Sequence, residues 1–434
     1  MIYPTIPIGA AFDIYNGATP STSEPRFWDG DVPWIGPADL GKQKSSTIFH
    51  GERFITAAGY DSCGTRQVPK GSIILSVRAP IGHIAVAGNS LCFNQGCRGL
   101  IPRKCIISEY AYWALQAARP ALEAAGQGTT FIELSRGKLK AERISLPDLE
   151  TQKEIADFLD RETAHIEKLI EKKERLLNAV SEKKSSVITT AVTKGLDPNR
   201  NFKESGIDWL GKIPENWEIT KLKFIGKAVI GLTYSPENIV DEGNGTLVLR
   251  SVNIQQGEIS LKNKVYVNKD IPIKLITRPG DILICSRNGS RALIGKNALI
   301  TQENSGHSFG AFTTVFRTKH FEFIHYVMNS ELFNYQSGLF LTSTINQLTT
   351  GTLNNFKIPL PPKSEQKEIV NHINDKTKPL YILEKKIKKS IEYLHDIRVS
   401  LITEAVTGQL DINSWKKRGS TDKRLDNIEE AMRT

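Results

Sequence analysis

Two long stretches of this chain carry apolar residues at an alternating four-then-three spacing. The first series is Ile155, Leu159, Glu162, Ile166, Leu169, Lys173, Leu176, Val180, Lys183, Val187 and Thr190, apolar at seven of eleven positions. The second is Ile369, Ile373, Lys376, Leu380, Leu383, Ile387, Ser390, Leu394, Ile397, Leu401 and Glu404, apolar at eight of eleven. At 39% hydrophobic overall, chance would supply about four per series, so the pattern marks a seam. Such heptads, with charge at the other positions, predict two helices that pair as a coiled coil. Two ordinary amphipathic helices in separate cores are the alternative. Length counts against it, because about 45 residues at 1.5 Å rise make a rod of roughly 65 Å. Pro379 falls inside the second series and is expected to kink that helix or to split off its first turns.

The two stretches are copies. Residues 147–197 and 361–411 align without a gap at a constant shift of 214. QKEI at 152–155 returns at 366–369, and Ser186-Val-Ile-Thr-Thr-Ala-Val-Thr193 returns as Ser400-Leu-Ile-Thr-Glu-Ala-Val-Thr407. Internal repetition dictates architecture, and a pseudo-twofold chain pairs its two helices antiparallel.

Outside the helices the periodicity changes to short β-type runs bounded by Gly or Pro, such as 71–77 and 83–87. A helical pattern covers Ser108 to Ala125, Gly126 to Thr130 breaks it, and a strand at 143–147 leads into the first long helix. Residues 197–220 form a junction rich in Gly and Pro, anchored by Trp209 and Trp217. The globular pattern then returns. Lys70 to Arg78 matches Pro279 to Arg287 at a shift of 209, and Thr130 to Leu134 matches Thr344 to Leu348 at 214. The predicted class is α+β. Its parts are globule 1–146, helix 147–196, linker 197–220, globule 221–360, helix 361–411 and a charged tail 412–434, which is expected to be mobile.

Composition narrows the function. A formal charge of +10 and a pI near 9.2 favour a polyanionic partner. Five cysteines (Cys63, Cys92, Cys97, Cys105, Cys285) without a CxxC pair argue for a reducing compartment and against a disulfide scaffold or zinc. Neither a signal peptide nor a membrane-spanning run is legible, so a cytoplasmic location is expected. Catalytic motifs are not found. Gly289 to Lys296 has the wrong spacing for a phosphate loop, and Asn297 stands where Ser or Thr would hold magnesium. The sole Pro-Pro, at 361–362, is followed by Lys363 and not by an amino-methyltransferase motif. Asp148 with Glu171 to Lys173 reads as a solvated helix face before it reads as a nuclease. The chain is expected to bind and not to catalyse, with no metal or cofactor of its own.

Arginine reads guanine, Asn and Gln read adenine, and cations hold phosphates. Candidate DNA contacts in the first globule are Ser76 and Arg78 at a strand-to-turn tip, with Asn94, Gln95 and Arg98 beside them. In the second they are Ser286, Arg287, Asn288 and Arg291, joined by Arg250, Asn253 and Lys296.

With these residues in place, the chain resembles the specificity subunit of type I restriction–modification systems over nearly its full length. The matching segments are Gly30 to Ile35, Val68 to Gly71, Arg78 to Gly82, Asn94 to Gly96, Leu146-Pro147 with QKEI and its repeat, Ser205 to Gly211, and Ile213 to Trp217. The resemblance implies two target-recognition domains, each reading half of a bipartite site in double-stranded DNA. A long antiparallel two-helix coiled coil would separate them and dock two modification subunits. Restriction subunits would join through that complex. S-adenosylmethionine, ATP and Mg would belong to the partners, which methylate adenine and cleave DNA, and no membrane is involved. A rod of the predicted size sets its readers one to two turns of duplex apart, each turn being roughly 34 Å. A self-contained methyltransferase or nuclease with fused recognition domains lacks its motifs here. An adaptor that binds only protein does not account for the basic charge.

One departure concerns the start. Ile8-Gly9 is read as matching Ile225-Gly226, which leaves the first globule without the lead that Ile213 to Trp217 gives the second. Either the tail, through Trp415, completes that lead, or the lead is shortened.

Overall fold

Both long helices are present in the computed structural model, the first at Leu149–Lys194 and the second at Lys363–Thr407. The structure describes residues 2–43, 45–126, 132–255, 257–340, 346–412 and 415. The charged tail, apart from Ile412 and Trp415, and the break at 127–131 lie outside the described residues. The chain forms two compact units, Met1–Glu174 with Lys389–Thr434, and Arg175–Lys388. Each unit holds one globular part and a portion of each long helix.

In the first unit, strands run in the order Phe12–Asn16, Cys97–Pro102, Ile73–Ser76, Ile84–Ala87 and Thr47–Ile48. All pair antiparallel except the last two, which are parallel. The alternation of a strand sorts its side chains to two faces. Ile73 and Leu75 join a core with Tyr110 and Trp113 of the Ser108–Ala125 helix, whereas Ile74 packs with Ile35 and Phe93 on the other face. The first core continues into both long helices, through Ile155, Phe158 and Leu159 of one and Leu401, Ile402 and Ala405 of the other. The start of one helix therefore packs beside the end of the other, an antiparallel pairing, and Arg398 Nη2 bonds Glu167 at 3.2 Å across it.

The second unit repeats this plan. Gly226–Ile230, Thr313–Thr318, Ile282–Cys285 and Asn297–Leu299 form an antiparallel sheet in that order. Ile282 and Ile284 face a core with Trp217, Phe323 and Phe333, which takes in Ile188, Ala191 and Val192 from one long helix and Ile369 and Ile373 from the other. Leu283 and Cys285 face a second core. Each fully buried Leu or Ile contributes about 2 kcal/mol, so these shared cores hold the helices to their sheets.

The QKEI repeat has a structural reason. Gln152 is fully buried; its Nε2 donates to the carbonyls of Pro147 and Cys105, both at 2.9 Å, and its Oε1 accepts from Ile107 N–H at 3.0 Å. Gln366 does the same in the second unit, donating to Pro361 O at 2.7 Å and meeting His320 Nδ1 at 2.9 Å. Each glutamine ties the first turn of its helix to the globular part of its unit. At the other ends, Gly195 (φ +76°) and Gly408 (φ +78°) follow the last helical residues in the left-handed conformation that stops a helix.

Of the seam residues, Ile155, Leu159, Ile166, Val180, Ile369, Ile373, Ile387, Leu394 and Leu401 are buried, while Leu169, Val187, Leu380 and Ile397 are half-buried. Leu176 and Leu383 are exposed, against expectation. A straight helix drifts about 20° per heptad from a strict 3.5 repeat. Locally the buried position falls one residue on, at Ile188 beyond Val187 and at Glu384 beyond Leu383, before Ile387, Leu394 and Leu401 resume the series. Burial alone would raise the Glu384 pKa, but its bonds to Lys184 (2.8 Å) and Lys388 (2.7 Å) outweigh that and hold it below the ordinary value. Pro379 does not split the second helix, which continues through it. The proline removes one hydrogen bond, and buried Ile373 and Ile387 anchor the turns on either side.

The reading of the start is also corrected. Thr5–Pro7 pairs with Arg143–Ser145 just as Glu218–Lys221 pairs with Lys357–Leu360. The helical turn Ile8–Ala11 then matches Leu222–Ile225, so Ile8 corresponds to Leu222 and not to Ile225. Trp415 is buried in the first unit's core, edge-on to Phe158 at 6.0 Å.

Replacing Gln152 by Ala leaves the Ile107 N–H and two carbonyls without partners, which is expected to cost on the order of 3 kcal/mol. Chemical denaturation of the full chain checks this; a loss below about 1 kcal/mol would mean that water replaces the amide.

Candidate nucleic-acid interface

Both units build one recognition frame from the same hydrogen bonds. In the first, Val77 N–H donates to Gly96 O, Leu134 N–H to Val77 O, Asn94 N–H to Ile35 O and Ala18 N–H to Phe93 O. In the second, Ser286 N–H donates to Phe312 O, Leu348 N–H to Ser286 O, Gly310 N–H to Leu249 O and Leu232 N–H to Phe309 O. Gly17 and Gly231 occupy the closest approach. A Cβ on Gly17 would lie 2.1 Å from Asn94 O, and one on Gly231 2.3 Å from Gly310 O, so neither position admits a side chain. The frame makes Arg78 and Arg287 equivalent, places Glu133 opposite the first and Gln347 opposite the second, and aligns 94–96 with 310–312.

What the frame carries differs. Arg78 Nε donates to Glu133 Oε2 at 3.0 Å, and Arg98 Nη2 donates to Glu133 Oε1 at 3.2 Å. Arg98 is only 8% exposed, and its Nη1 also donates to the carbonyls of Gln95 and Cys97, each at 3.0 Å. Burial lowers the Arg98 pKa and Glu133 pulls it back up. Arg287, by contrast, is exposed, and its guanidinium lies 5.2 Å from the centre of the Phe312 ring. No spacing rule pointed to Glu133; its place in the Thr130 to Leu134 repeat was the one available signal.

Ser76, Arg98, Asn253 and Ser286, candidates for DNA contact, are structural instead. Ser76 Oγ donates to Pro80 O at 2.8 Å and accepts from His83 N–H at 2.9 Å, which shapes the turn below Arg78. Asn253, 1% exposed, accepts from Arg250 N–H and donates to the carbonyls of Ser260 and Lys262. Ser286 Oγ donates to Phe312 O at 3.1 Å. A short polar side chain next to an arginine reads as a contact in sequence, but these are buried and spent on the frame.

Among the remaining candidates, Asn94 Oδ1 accepts from Gly96 N–H at 2.8 Å, an Asx turn that presents exposed Gln95, to which Thr19 donates. Asn288 Oδ1 accepts from Ser290 N–H, and the guanidinium of exposed Arg291 donates to Gly338 O at 2.9 Å. Arg250 donates to Asn263 O at 3.1 Å and lines a groove of about 460 Å3 with Phe312. Lys296 is not brought to that groove. It lines another, of about 830 Å3, with Lys184, His325, Asn374 and Lys378. Burial pushes His325 down to about 4, so it is neutral there. Among the described residues no cluster of His, Cys, Asp or Glu could hold a metal, and no helix is long and apolar enough to cross a membrane.

The family model for the type I restriction modification DNA specificity domain matches this chain twice, over residues 5–178 and 214–393. The specificity subunit of the type I restriction enzyme MjaIX from Methanocaldococcus jannaschii is 29% identical over 412 residues, which are 92% of this chain and 91% of that protein. The specificity subunit of EcoBI from Escherichia coli is 22% identical over 428 residues, 93% of this chain and 85% of that one. A solved chain, from work on complex assembly and conformational transition of a type I R-M system, has the same fold. Its TM-score is 0.68 at 15% identity, over 94% of this chain and 98% of that one.

Glu133→Ala is expected to leave the buried Arg98 charge unpaired and to destabilise the chain by about 2–3 kcal/mol, less than a fully buried pair because Glu133 is partly exposed. Arg98→Met combined with Glu133→Gln should recover most of that loss. Urea denaturation of the three chains checks it, and equal stability of Glu133→Ala and the parent would show that water compensates the guanidinium.

Proposed function

The chain belongs to the type I restriction modification DNA specificity family, and from that premise we propose that each of its two units reads one half of a bipartite target. The chain recognises DNA sequence for a type I restriction–modification complex and works with the other subunits of that complex; it is not itself an enzyme. On this reading residues 1–146 and 221–360 are the target-recognition domains, and the long helices at 147–196 and 361–411 form the spacer. Two modification subunits dock on the chain and bring restriction subunits with them. The complex works in the cytoplasm, and S-adenosylmethionine, ATP and Mg are bound by the partners.

The observation that carries this reading is the duplicated frame. It sets one arginine, Arg78 or Arg287, at the same backbone position in each unit and varies the side chains around it. A bidentate arginine discriminates its guanine by about 1–3 kcal/mol, which is the scale a half-site needs. Asn94, Gln95, Arg250, Asn288, Arg291 and Lys296 remain the further candidate contacts.

Arg78→Ala and Arg287→Ala, each expressed with the modification subunit, should relax the methylated motif in one half only, and in different halves. Methylome sequencing reads this directly. Uniform weakening at an unchanged motif would assign both arginines to phosphates. One heptad added to both long helices is expected to lengthen the unread spacer and leave the read bases as they were. An altered half-site in that variant would contradict the assignment of the helices as spacer.

A further inference from the structure

The second unit carries an apolar groove where the first carries amides. Residues 310–312 (Gly-Ala-Phe) hang on the same hydrogen bonds as 94–96 (Asn-Gln-Gly), so the backbone offers one display position twice. In the first unit that turn presents Asn94 and Gln95 and ends on Gly96. In the second the side chain comes one or two residues later, at the position of Gly96: Phe312, 59% exposed, stands over a groove lined by Leu232, Tyr234, Ile239, Arg250 and Val252. Ile239 and Val252 are also exposed, at 49% and 39%. Three exposed apolar side chains around one groove, on a chain of pI near 9.2, mark a surface with an occupant.

The charges beside the groove say which occupant. The Arg287 guanidinium covers the Phe312 ring, Arg250 lines the wall, and neither has a carboxylate partner among the described ion pairs. An apolar groove flanked by two arginines complements a polyanion that has an apolar group on its edge. In the major groove of unmodified DNA the thymine C5-methyl is that group, the one alkyl group among donors, acceptors and small C–H edges.

We propose that Phe312 and this groove read a thymine methyl in the half-site of the second unit, making Phe312 a specificity-determining residue. The inference rests on the recognition function proposed above and names the base feature that one half of the target must contain. The equivalent turn of the first unit displays the amides Asn94 and Gln95 instead.

The test uses the full chain assembled with its modification subunit and duplexes carrying the methylated motif. Each thymine is replaced singly by deoxyuridine, which removes only the methyl. Burying one methyl-sized group is worth about fourfold in affinity. At one thymine or more, the parent should bind the deoxyuridine duplex about that much more weakly. Phe312→Ser should bind both duplexes alike, and Phe312→Leu, which keeps an apolar contact, should retain the preference. Equal binding of thymine and deoxyuridine at every position, a preference that survives in Phe312→Ser, or a motif without thymine would overturn the proposal. If Phe312→Ser instead prevents assembly with the modification subunit, the groove is a protein contact and the proposal also fails. Absence of any bipartite motif would strike the recognition function itself, whereas a motif read without regard to the methyl would strike only Phe312.

Discussion

The rest of the structure depends on each reading domain sharing one hydrophobic core with the helix pair beside it. In the first unit a single cluster runs from the sheet residues Ile73 and Leu75 through Tyr110 and Trp113 into Ile155, Leu159, Leu401 and Ala405. In the second, Ile282 and Phe323 are continuous with Ile188, Val192, Ile369 and Ile373. Packed interiors transmit displacement and do not absorb it. The buried Gln152 and Gln366 reinforce this at the first turn of each helix, where a rotation of the helix would otherwise cost least. A recognition turn built this way has a fixed orientation relative to the helices of its own unit, and a reader of DNA edges needs that, because bidentate bonds tolerate little angular error.

On that support the two units use one backbone frame and different chemistry. The frame is demanding: Gly17 and Gly231 sit where no Cβ fits, and Ser76, Ser286 and Asn253 are consumed in holding turns. The displayed residues are less constrained. Glu133 in one unit is Gln347 in the other, so Arg78 has a carboxylate partner and Arg287 lies over an aromatic ring. Changing the display leaves the frame bonds intact, since these are mostly between backbone atoms. The frame is thus held mostly by backbone bonds while the side chains on it vary, although Glu133 belongs to both sets because it also pairs the buried Arg98.

Sequence shows the helical part of this plan better than the readers. Heptads and the 214-residue shift leave a periodic imprint, and the helix at Ser108–Ala125 has the bounds its pattern predicts. Leu176 and Leu383 are exposed while Glu384 is buried, because at these points the neighbouring turns and the Lys184 and Lys388 bonds to Glu384, not the period alone, decide which side chain is covered. The lead was misread by three positions because Ile-Gly occurs at both 8–9 and 225–226, and only strand pairing shows that Ile8 matches Leu222. At the reading tips the failure has another cause. Whether a serine or arginine is displayed or spent depends on partners far away in the chain, as Arg98 depends on Glu133 and Ser286 on Phe312. Phe312 escaped notice because an aromatic residue inside a strand-like run reads as core.

The arginines that remain displayed are few, and this bears on how the chain divides its work. Arg98 is buried and Arg78 shares Glu133 with it, so that corner of the first tip carries less free charge than its sequence implies. Non-specific affinity for DNA grows with the number of phosphates neutralised, and its salt dependence grows in step. The one exposed arginine of the first tip, Arg78, supplies little of it. On the proposed reading such a residue suits discrimination, where a base contact is worth about 1–3 kcal/mol whatever the background affinity. On the proposed reading, Arg78 and Arg287 choose among sites, and affinity that does not depend on sequence falls to other cationic residues of a chain with a net charge of +10.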